Sequence, residues 1–317
     1  MPTLLIRLRN WVGDVTLGIP TLQRLHDAGY RLRLTGRGWA GDLLRGHGWT
    51  VEPLAQGLRA RVGQLRRLRR EAEAADAGFA RQPLQALCLP YSFGSALEFR
   101  LAGLRSLGHA WEGRALLLTR SLPRHRERHE IEAYWALGNA LLGEDAPLPQ
   151  RIELLVSDAD DAAAMALLRQ HGVAAGFIVI CPFAGGTFSG QDKTWPGFAD
   201  FMAQVLPQFG RTLVICPGPG EEELARTRFA TATGLNNVKL GVYAALLRRA
   251  ALMISNDTGP GHIAAAVGCP TLSVLGPSDA AQWRAWGPSV HIVQGPQGWP
   301  DAAAVRAAVV QWLQAAQ

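Results

Sequence analysis

Short, uninterrupted apolar runs alternate along the chain with amphipathic stretches of helical period. Leu4-Leu5-Ile6-Arg7-Leu8 has strand length and runs into the turn-forming residues Asn10-Trp11-Val12-Gly13-Asp14. A helical pattern begins near Val15 and continues through Leu22 and Leu25, interrupted by Pro20. Tyr30 to Thr35 alternates as a second strand. Over 58–75, Leu58, Val62, Leu65, Leu68 and Ala72 share one helix face, with Arg59, Arg66, Arg67 and Arg70 around it. Residues 130–142 predict another helix. Gly143 to Gln150, with two prolines and two acids, has the composition of a linker.

The second half repeats the alternation. Strands are expected at Phe177–Cys181, Arg211–Cys216, Leu252–Ser255 and Thr271–Leu275, with helices over 197–207, 221–232 and around Tyr243–Ala251. Glycine-rich loops follow three of these strands. Strands alternating with helices argue for an α/β fold with parallel sheets and for ligands at the carboxyl ends of the strands. The expected organisation is one domain over 1–150 and a second over 151–317, with the C-terminal helix packing back on the first.

Composition narrows the class. Of 317 residues, 48% are apolar and 18% charged, enough for a sizeable core. No run approaches the length of a membrane span, and the N-terminal apolar run is too short for a signal peptide. The four cysteines, Cys88, Cys181, Cys216 and Cys269, are scattered, with neither zinc spacing nor a dense disulfide framework. These features predict a cytoplasmic protein. The net charge of +6 is uneven: residues 1–150 hold 21 arginines, no lysine and 14 acids, whereas the remainder is nearly neutral. The first half is therefore expected to meet something anionic. Lys193 and Lys239 are the only lysines.

Three segments carry candidate chemistry. In Ile254-Ser255-Asn256-Asp257-Thr258-Gly259-Pro260-Gly261-His262, an apolar strand enters Asp-Thr-Gly and an alanine-rich helix opens just after. Amides at such a helix start suit a diphosphate, with Thr258 and Gly259 as donors, Asp257 orienting the loop and His262 within reach. The plainer alternative makes Asp257 a helix cap and His262 a buried core residue. The second segment, Cys181 to Pro196, is a post-strand loop with three glycines, Thr187, Ser189 and Lys193, equipped for phosphate oxygens; its alternative is a surface loop with a solvated lysine. In the third, Asp14 follows the first strand, placed either to accept a proton from a hydroxyl or to cap a helix.

Taken together, the three segments resemble glycosyltransferase family nine, which includes the lipopolysaccharide heptosyltransferases. Arg9-Asn10-Trp11-Val12-Gly13-Asp14 followed by Pro20 is similar to the family's opening motif. Phe183-Ala184-Gly185 through Lys193-Thr194-Trp195-Pro196 resembles its glycine-rich lysine loop, particularly in the heptosyltransferase II branch. Asn256 to His262, with Gly268-Cys269-Pro270 and Leu275-Gly276-Pro277, resembles its Asp-Thr-Gly-x-x-His signature. The resemblance implies a GT-B fold, two Rossmann-like domains with parallel sheets facing across a cleft, the first binding the acceptor and the second a nucleotide sugar.

It further implies inverting, metal-independent transfer of a sugar, L-glycero-D-manno-heptose from ADP-heptose, onto a lipopolysaccharide inner-core acceptor. Asp14 would be the general base and Lys193 a stabiliser of the departing diphosphate. Thr187, Ser189, Glu222, Asp257, Thr258, Gly259 and His262 would bind the donor, Glu222 or its neighbour Glu221 at the ribose. No cofactor is expected, the ADP-sugar being a co-substrate, and no metal site. Partners would be the donor and an anionic glycolipid acceptor, with no nucleic acid and no obligate protein partner. Alternatives are a related transferase with another nucleotide sugar or acceptor glycan, and a catalytically idle nucleotide-sugar or membrane-surface binding protein. The likeness weakens after residue 40 in the first half.

Three further features lie outside these segments. Arg59, Arg66, Arg67 and Arg70 would suit an anionic lipid or glycolipid acceptor at the cytoplasmic face of the inner membrane, or form a solvated face. Gly36-Arg37-Gly38-Trp39-Ala40-Gly41 fits G-x-G-x-x-G but follows the second strand, without the ribose-binding acid of a dinucleotide site. His125, His129 and Glu130 share a helix spacing among arginines, which predicts a solvated face rather than a metal site.

Overall fold

A computed structural model of the chain describes residues 1–315 except Gly186, Ser189, Pro277 and Gln297, with Thr187, Phe188, Gln314 and Ala315 described in their backbone alone. The chain divides into two compact units, Met1–Pro149 and Gln150–Gln317.

In the first unit, β1 (Thr3–Arg7), β2 (Arg31–Gly36), β3 (Val51–Pro53), β4 (Ala86–Cys88), β5 (Ser106–His109) and β6 (Arg120–Leu122) form one sheet in the order β3-β2-β1-β4-β5-β6. Every pairing is parallel. Between the strands run α1 (Val12–Asp27), α2 (Trp39–Leu43), α3 (Leu58–Ala75), α4 (Phe93–Leu101) and, last, α5 (Glu130–Leu142). β1 is buried along its whole length, as expected of a parallel strand covered on both faces.

The second unit opens with α6 (Asp158–Gln170) and repeats the topology. β7 (Ile178–Cys181), β10 (Leu213–Ile215), β11 (Thr233–Gly234), β12 (Leu252–Ser255), β13 (Thr271–Leu275) and β14 (Val290–Gln294) order as β11-β10-β7-β12-β13-β14, again all parallel. β8 (Thr187–Phe188) and β9 (Gln191–Asp192) make a small antiparallel hairpin between β7 and α7 (Phe198–Gln204). α8 (Glu222–Arg228), α9 (Leu240–Arg249), α10 (Gly259–Ala266), α11 (Ala280–Trp283) and α12 (Ala302–Ala315) complete it. Each sheet thus reverses its strand order at one place, between β1 and β4 and between β7 and β12. In open α/β sheets such reversals splay the following loops apart and leave a crevice for ligands.

The α/β class with two parallel sheets is the one the apolar pattern implies; individual elements differ. α1 begins at Val12, because the Val15 amide bonds the Trp11 carbonyl at 3.0 Å, which puts Asp14 inside the first helical turn. α7 ends at Gln204 rather than 207, where Pro207 cannot donate a helical hydrogen bond. On α3, Val62, Leu65, Leu68 and Ala72 are buried as expected, but Leu58, the first residue after Gly57, is exposed. Val305, Ala308, Val309 and Leu313 of α12 join the core that holds Ile178, Leu272 and Val274 of the second sheet, the apolar surface within reach of that stripe. Among the described residues no helix is long and apolar enough to cross a membrane. The four cysteines are unpaired.

Candidate functional site

In the second unit β7 and β12 are neighbours in register, Cys181 opposite Ser255, so their following loops start side by side. Asn256, 1% exposed, fastens them together. Its amide bonds the Cys181 carbonyl at 3.3 Å, its Nδ2 donates to the Pro182 carbonyl at 2.7 Å, and its Oδ1 accepts from the Trp195 amide at 3.0 Å. One side chain thereby holds both ends of the glycine-rich loop. Trp195 is itself buried in the core, with its indole N–H donating to the Pro300 carbonyl at 3.1 Å.

This arrangement delivers Lys193 to Asp257, Nζ to Oδ2 at 3.1 Å. Both side chains are largely covered, so the pair is not the solvated lysine of the plainer reading. Thr258 stands at the start of α10 with extended backbone and no side-chain cap bond, and Pro260 follows in the first turn. Asp257 is therefore not the cap. A helix opening without a side-chain cap presents its amides, and the positive end of its dipole, to whatever lies in front. Gly261 has a steric reason: a Cβ there would lie 2.7 Å from the buried Ser255 hydroxyl. His262 is buried one turn into the helix. Glu222, at the start of α8, accepts from the Gly220 amide at 2.8 Å, and Glu221 likewise from Gly218 at 2.8 Å. Both follow β10, the strand beside β7. Ser189 and the side chain of Thr187 lie outside the described residues.

The corresponding place in the first unit is built differently. Asp14 is 8% exposed, and its Oδ1 accepts from the Tyr134 hydroxyl at 2.9 Å. Arg9 approaches the same carboxylate, Nε to Oδ2 at 3.4 Å. α5 brings Tyr134 there because it lies along α1: Gly138 passes close over Thr21, and Arg24 donates to Asn139 and, at 2.6 Å, to Glu144. Burial and the Asp14 charge push the Tyr134 phenol well above its ordinary value, so it remains a neutral donor.

A wider cluster surrounds this pair. The guanidinium carbons of Arg9 and Arg124 lie 4.4 and 3.8 Å from the Tyr91 ring centroid, and Arg124 also pairs with Glu130 at 3.4 Å. Arg114, completely buried, donates to the carbonyls of Pro90 and Ser92 and fixes the loop after β4. Sequence reasoning found Asp14 and missed Tyr134, Tyr91, Arg124 and Arg114, which no local spacing links to it.

The histidine segment needs correcting. His129 is 5% and Glu130 2% exposed, so they do not form a solvated face; His129 caps α5, its Nδ1 accepting from the Ile131 amide while Glu132 reaches back to the His129 amide. Among the described residues no group of three or more His, Cys, Asp or Glu could hold a metal ion. Of the four arginines singled out on α3, Arg67 is engaged by Glu52 and Glu71, and Arg66 by the Leu101 carbonyl at 2.9 Å. Arg59 and Arg70 are exposed. A different arginine of that helix, Arg61, lines a cavity of about 560 Å³ together with Arg7, Arg37 and Glu98, at the carboxyl ends of β1, β2 and β3. Gly36 and Gly38 of the G-x-G segment line the same cavity.

Comparison with known proteins agrees with this architecture. Residues 84–310 match the family described as glycosyltransferase family 9 (heptosyltransferase). Over 130 residues the chain is 34% identical to lipopolysaccharide heptosyltransferase 3 of Escherichia coli, 38% of this chain and 36% of that protein. The match thus spans about a third of the length of that relative. Among solved structures, the ADP-heptose lps heptosyltransferase II of E. coli superposes with a TM-score of 0.79 at 21% identity, over 99% of both chains. The E. coli heptosyltransferase WaaC with ADP gives 0.73 at 21% identity, over 99% of this chain and 100% of that one. These superpositions show a shared GT-B fold. The family match covers most of the chain, and the chain belongs to glycosyltransferase family 9.

Proposed function

We propose that this family-9 chain is an inverting heptosyltransferase of lipopolysaccharide core assembly, taking L-glycero-D-manno-heptose from ADP-heptose to an inner-core acceptor. The observation that carries the reading is the Lys193–Asp257 pair, held by Asn256 in front of the uncapped start of α10. That arrangement suits a diphosphate: backbone donors from Thr258 and Gly259, a helix dipole, and one flexible cation already anchored nearby. The solved neighbours named for ADP-heptose and for ADP support the adenine nucleotide.

In the reaction, Asp14 takes the proton of an acceptor hydroxyl. The acceptor oxygen bonds to the anomeric carbon from the face opposite the diphosphate, and the bond from that carbon to the ADP oxygen breaks. ADP leaves with the bonding pair, its charge met by Lys193 and the α10 amides. Tyr134 and Arg9 fix the Asp14 carboxylate, the hydroxyl of Tyr134 donating to Oδ1 and Arg9 lying beside Oδ2. On this reading Thr187, Ser189 and His262 belong to the donor site and Glu222 binds the ribose, which requires it to exchange its Gly220 partner. The first unit is then the acceptor-binding domain, with an anionic glycolipid as acceptor at the cytoplasmic face of the inner membrane.

Calorimetric titration with ADP, UDP, GDP, CMP and NAD tests the donor. ADP is expected to bind at least about tenfold tighter than the others, roughly 1.4 kcal/mol. A preference for UDP or GDP would remove heptose as the sugar, and absence of nucleotide binding would remove the transferase reading.

A further inference from the structure

Trp11 departs from two local rules at once. Of the ten tryptophans, all among the described residues, Trp11 alone is exposed, at 65%. It also occupies the N-cap of α1, with extended backbone and no side-chain bond to the helix amides. That position favours Ser, Thr, Asp or Asn; Ser92 on α4 and Ser157 on α6 each accept a bond from an amide of their own helix. A tryptophan at the N-cap forgoes that bond and leaves most of a large apolar side chain in water. In natural folds, local rules broken without a structural return cluster at functional sites.

The surroundings of Trp11 indicate the ligand. β1 and β4 are the strands at the reversal of the first sheet, and each is followed by an exposed aromatic: Trp11 after β1, and Phe93, 47% exposed, after β4. Both stand next to residues that line the cavity of about 560 Å³, since Asn10 precedes Trp11 while Ser92 and Gly94 flank Phe93. The Trp11 carbonyl accepts from the Val15 amide at 3.0 Å and so closes the first turn of α1, the turn that carries Asp14. One rigid turn therefore ties the indole to the carboxylate. A polar cavity with apolar rings beside it matches a pyranose, which carries hydroxyls around its edge and C–H groups on its faces. Tryptophan offers a broad flat face with few rotatable bonds, so holding a sugar ring against it costs little side-chain entropy.

We propose that Trp11 is the platform on which the acceptor sugar stacks, its indole against the C–H face of a pyranose whose hydroxyl edge meets Asn10 and Asp14. Phe93 flanks the ring from the β4 side. The inference rests on the first unit binding the acceptor and on Asp14 as the base, and it adds a residue that selects the acceptor by ring shape rather than by charge. Trp11 holds the ring; Asp14 takes the proton.

Titrating the full chain with an inner-core oligosaccharide stripped of its acyl chains tests the platform in the absence of a lipid surface. The wild-type protein should bind it with a change in indole fluorescence. Trp11→Ala should weaken binding about tenfold or more, the scale of losing one stacked aromatic. Trp11→Phe keeps a ring face and should retain most of the affinity while most of the fluorescence change disappears, a separation that a purely structural tryptophan would not give. Phe93→Ala should weaken binding less than Trp11→Ala. In the transfer assay the Trp11→Ala loss should fall on the acceptor KM, with kcat and ADP affinity unchanged. Unchanged oligosaccharide affinity in Trp11→Ala, or an undiminished fluorescence change in Trp11→Phe, would overturn the proposal. If Trp11→Ala lost affinity only for the acylated acceptor, the indole would belong to a lipid surface and the platform would fall. Wild-type binding that Trp11→Ala leaves intact sinks the platform alone, whereas no wild-type binding of the oligosaccharide sinks the acceptor-binding reading of the first unit with it.

Discussion

The two units share one strand order and differ in what they place at the strand reversal. After β7 and β12 the second unit sets backbone amides, glycines and a single lysine, all from two loops within about fifteen residues of a strand end. After β1 and β4 the first unit sets side chains: Arg7, Arg9, Asp14, Tyr91 and Glu98, completed by Tyr134 from a helix 120 residues away. The contrast follows from what each is proposed to hold. A diphosphate offers the same oxygens in every nucleotide sugar, and backbone N–H groups at a helix start suffice for it. An acceptor must be distinguished from other glycans and deprotonated at one hydroxyl, which requires side chains whose positions are individually fixed.

The sharpest way to break this division is Asp14→Asn. Transfer should fall by about 10²–10⁴-fold, the usual contribution of a general base, while ADP affinity measured by calorimetry stays the same. Full turnover in that variant would mean that the first unit's carboxylate is not the base. Lys193→Ala comes next and should act on the other unit alone. ADP binding should weaken by about 2 kcal/mol, the range of a hydrogen bond to a charged group, and an unchanged dissociation constant would take Lys193 out of the diphosphate site. Tyr134→Phe should give the smallest effect. Losing one hydrogen bond to Asp14 costs about 1 kcal/mol, roughly a fivefold slower transfer with ADP affinity unaltered. A change in nucleotide binding there would show that the two sets of side chains do not work separately.

The same contrast explains which parts of the molecule could be read from the sequence. β12 and its loop were legible because a four-residue apolar strand ends abruptly in Asn-Asp-Thr-Gly and a helix starts at once. α3 and α5 were legible from their apolar period, and their bounds are those expected. β3, β4 and β6, three residues each, are too short for alternation to register, so most of the first sheet stayed hidden. The first unit's site was hidden for another reason. Arg7 looks like a flaw in an apolar strand, Arg61 like one more arginine on a basic helix, and Glu98 like an ordinary surface acid. They become neighbours only when β1, α3 and α4 bring them together. Of the arginines that the α3 pattern singled out, Arg66 and Arg67 are engaged by neighbours in the fold, which spacing along a helix does not reveal.

Lys193 also gives the molecule a reporter that needs no engineering. In a chain that otherwise uses arginine throughout, Lys193 and Lys239 are the only side-chain amines. One is exposed beside α9 and the other is tucked against Asp257 in the glycine-rich loop. An acylating reagent therefore has two side-chain targets of unequal accessibility, in separate peptides. The modified fraction at Lys239 serves as an internal standard, and that at Lys193 reads occupancy of the loop directly by mass spectrometry.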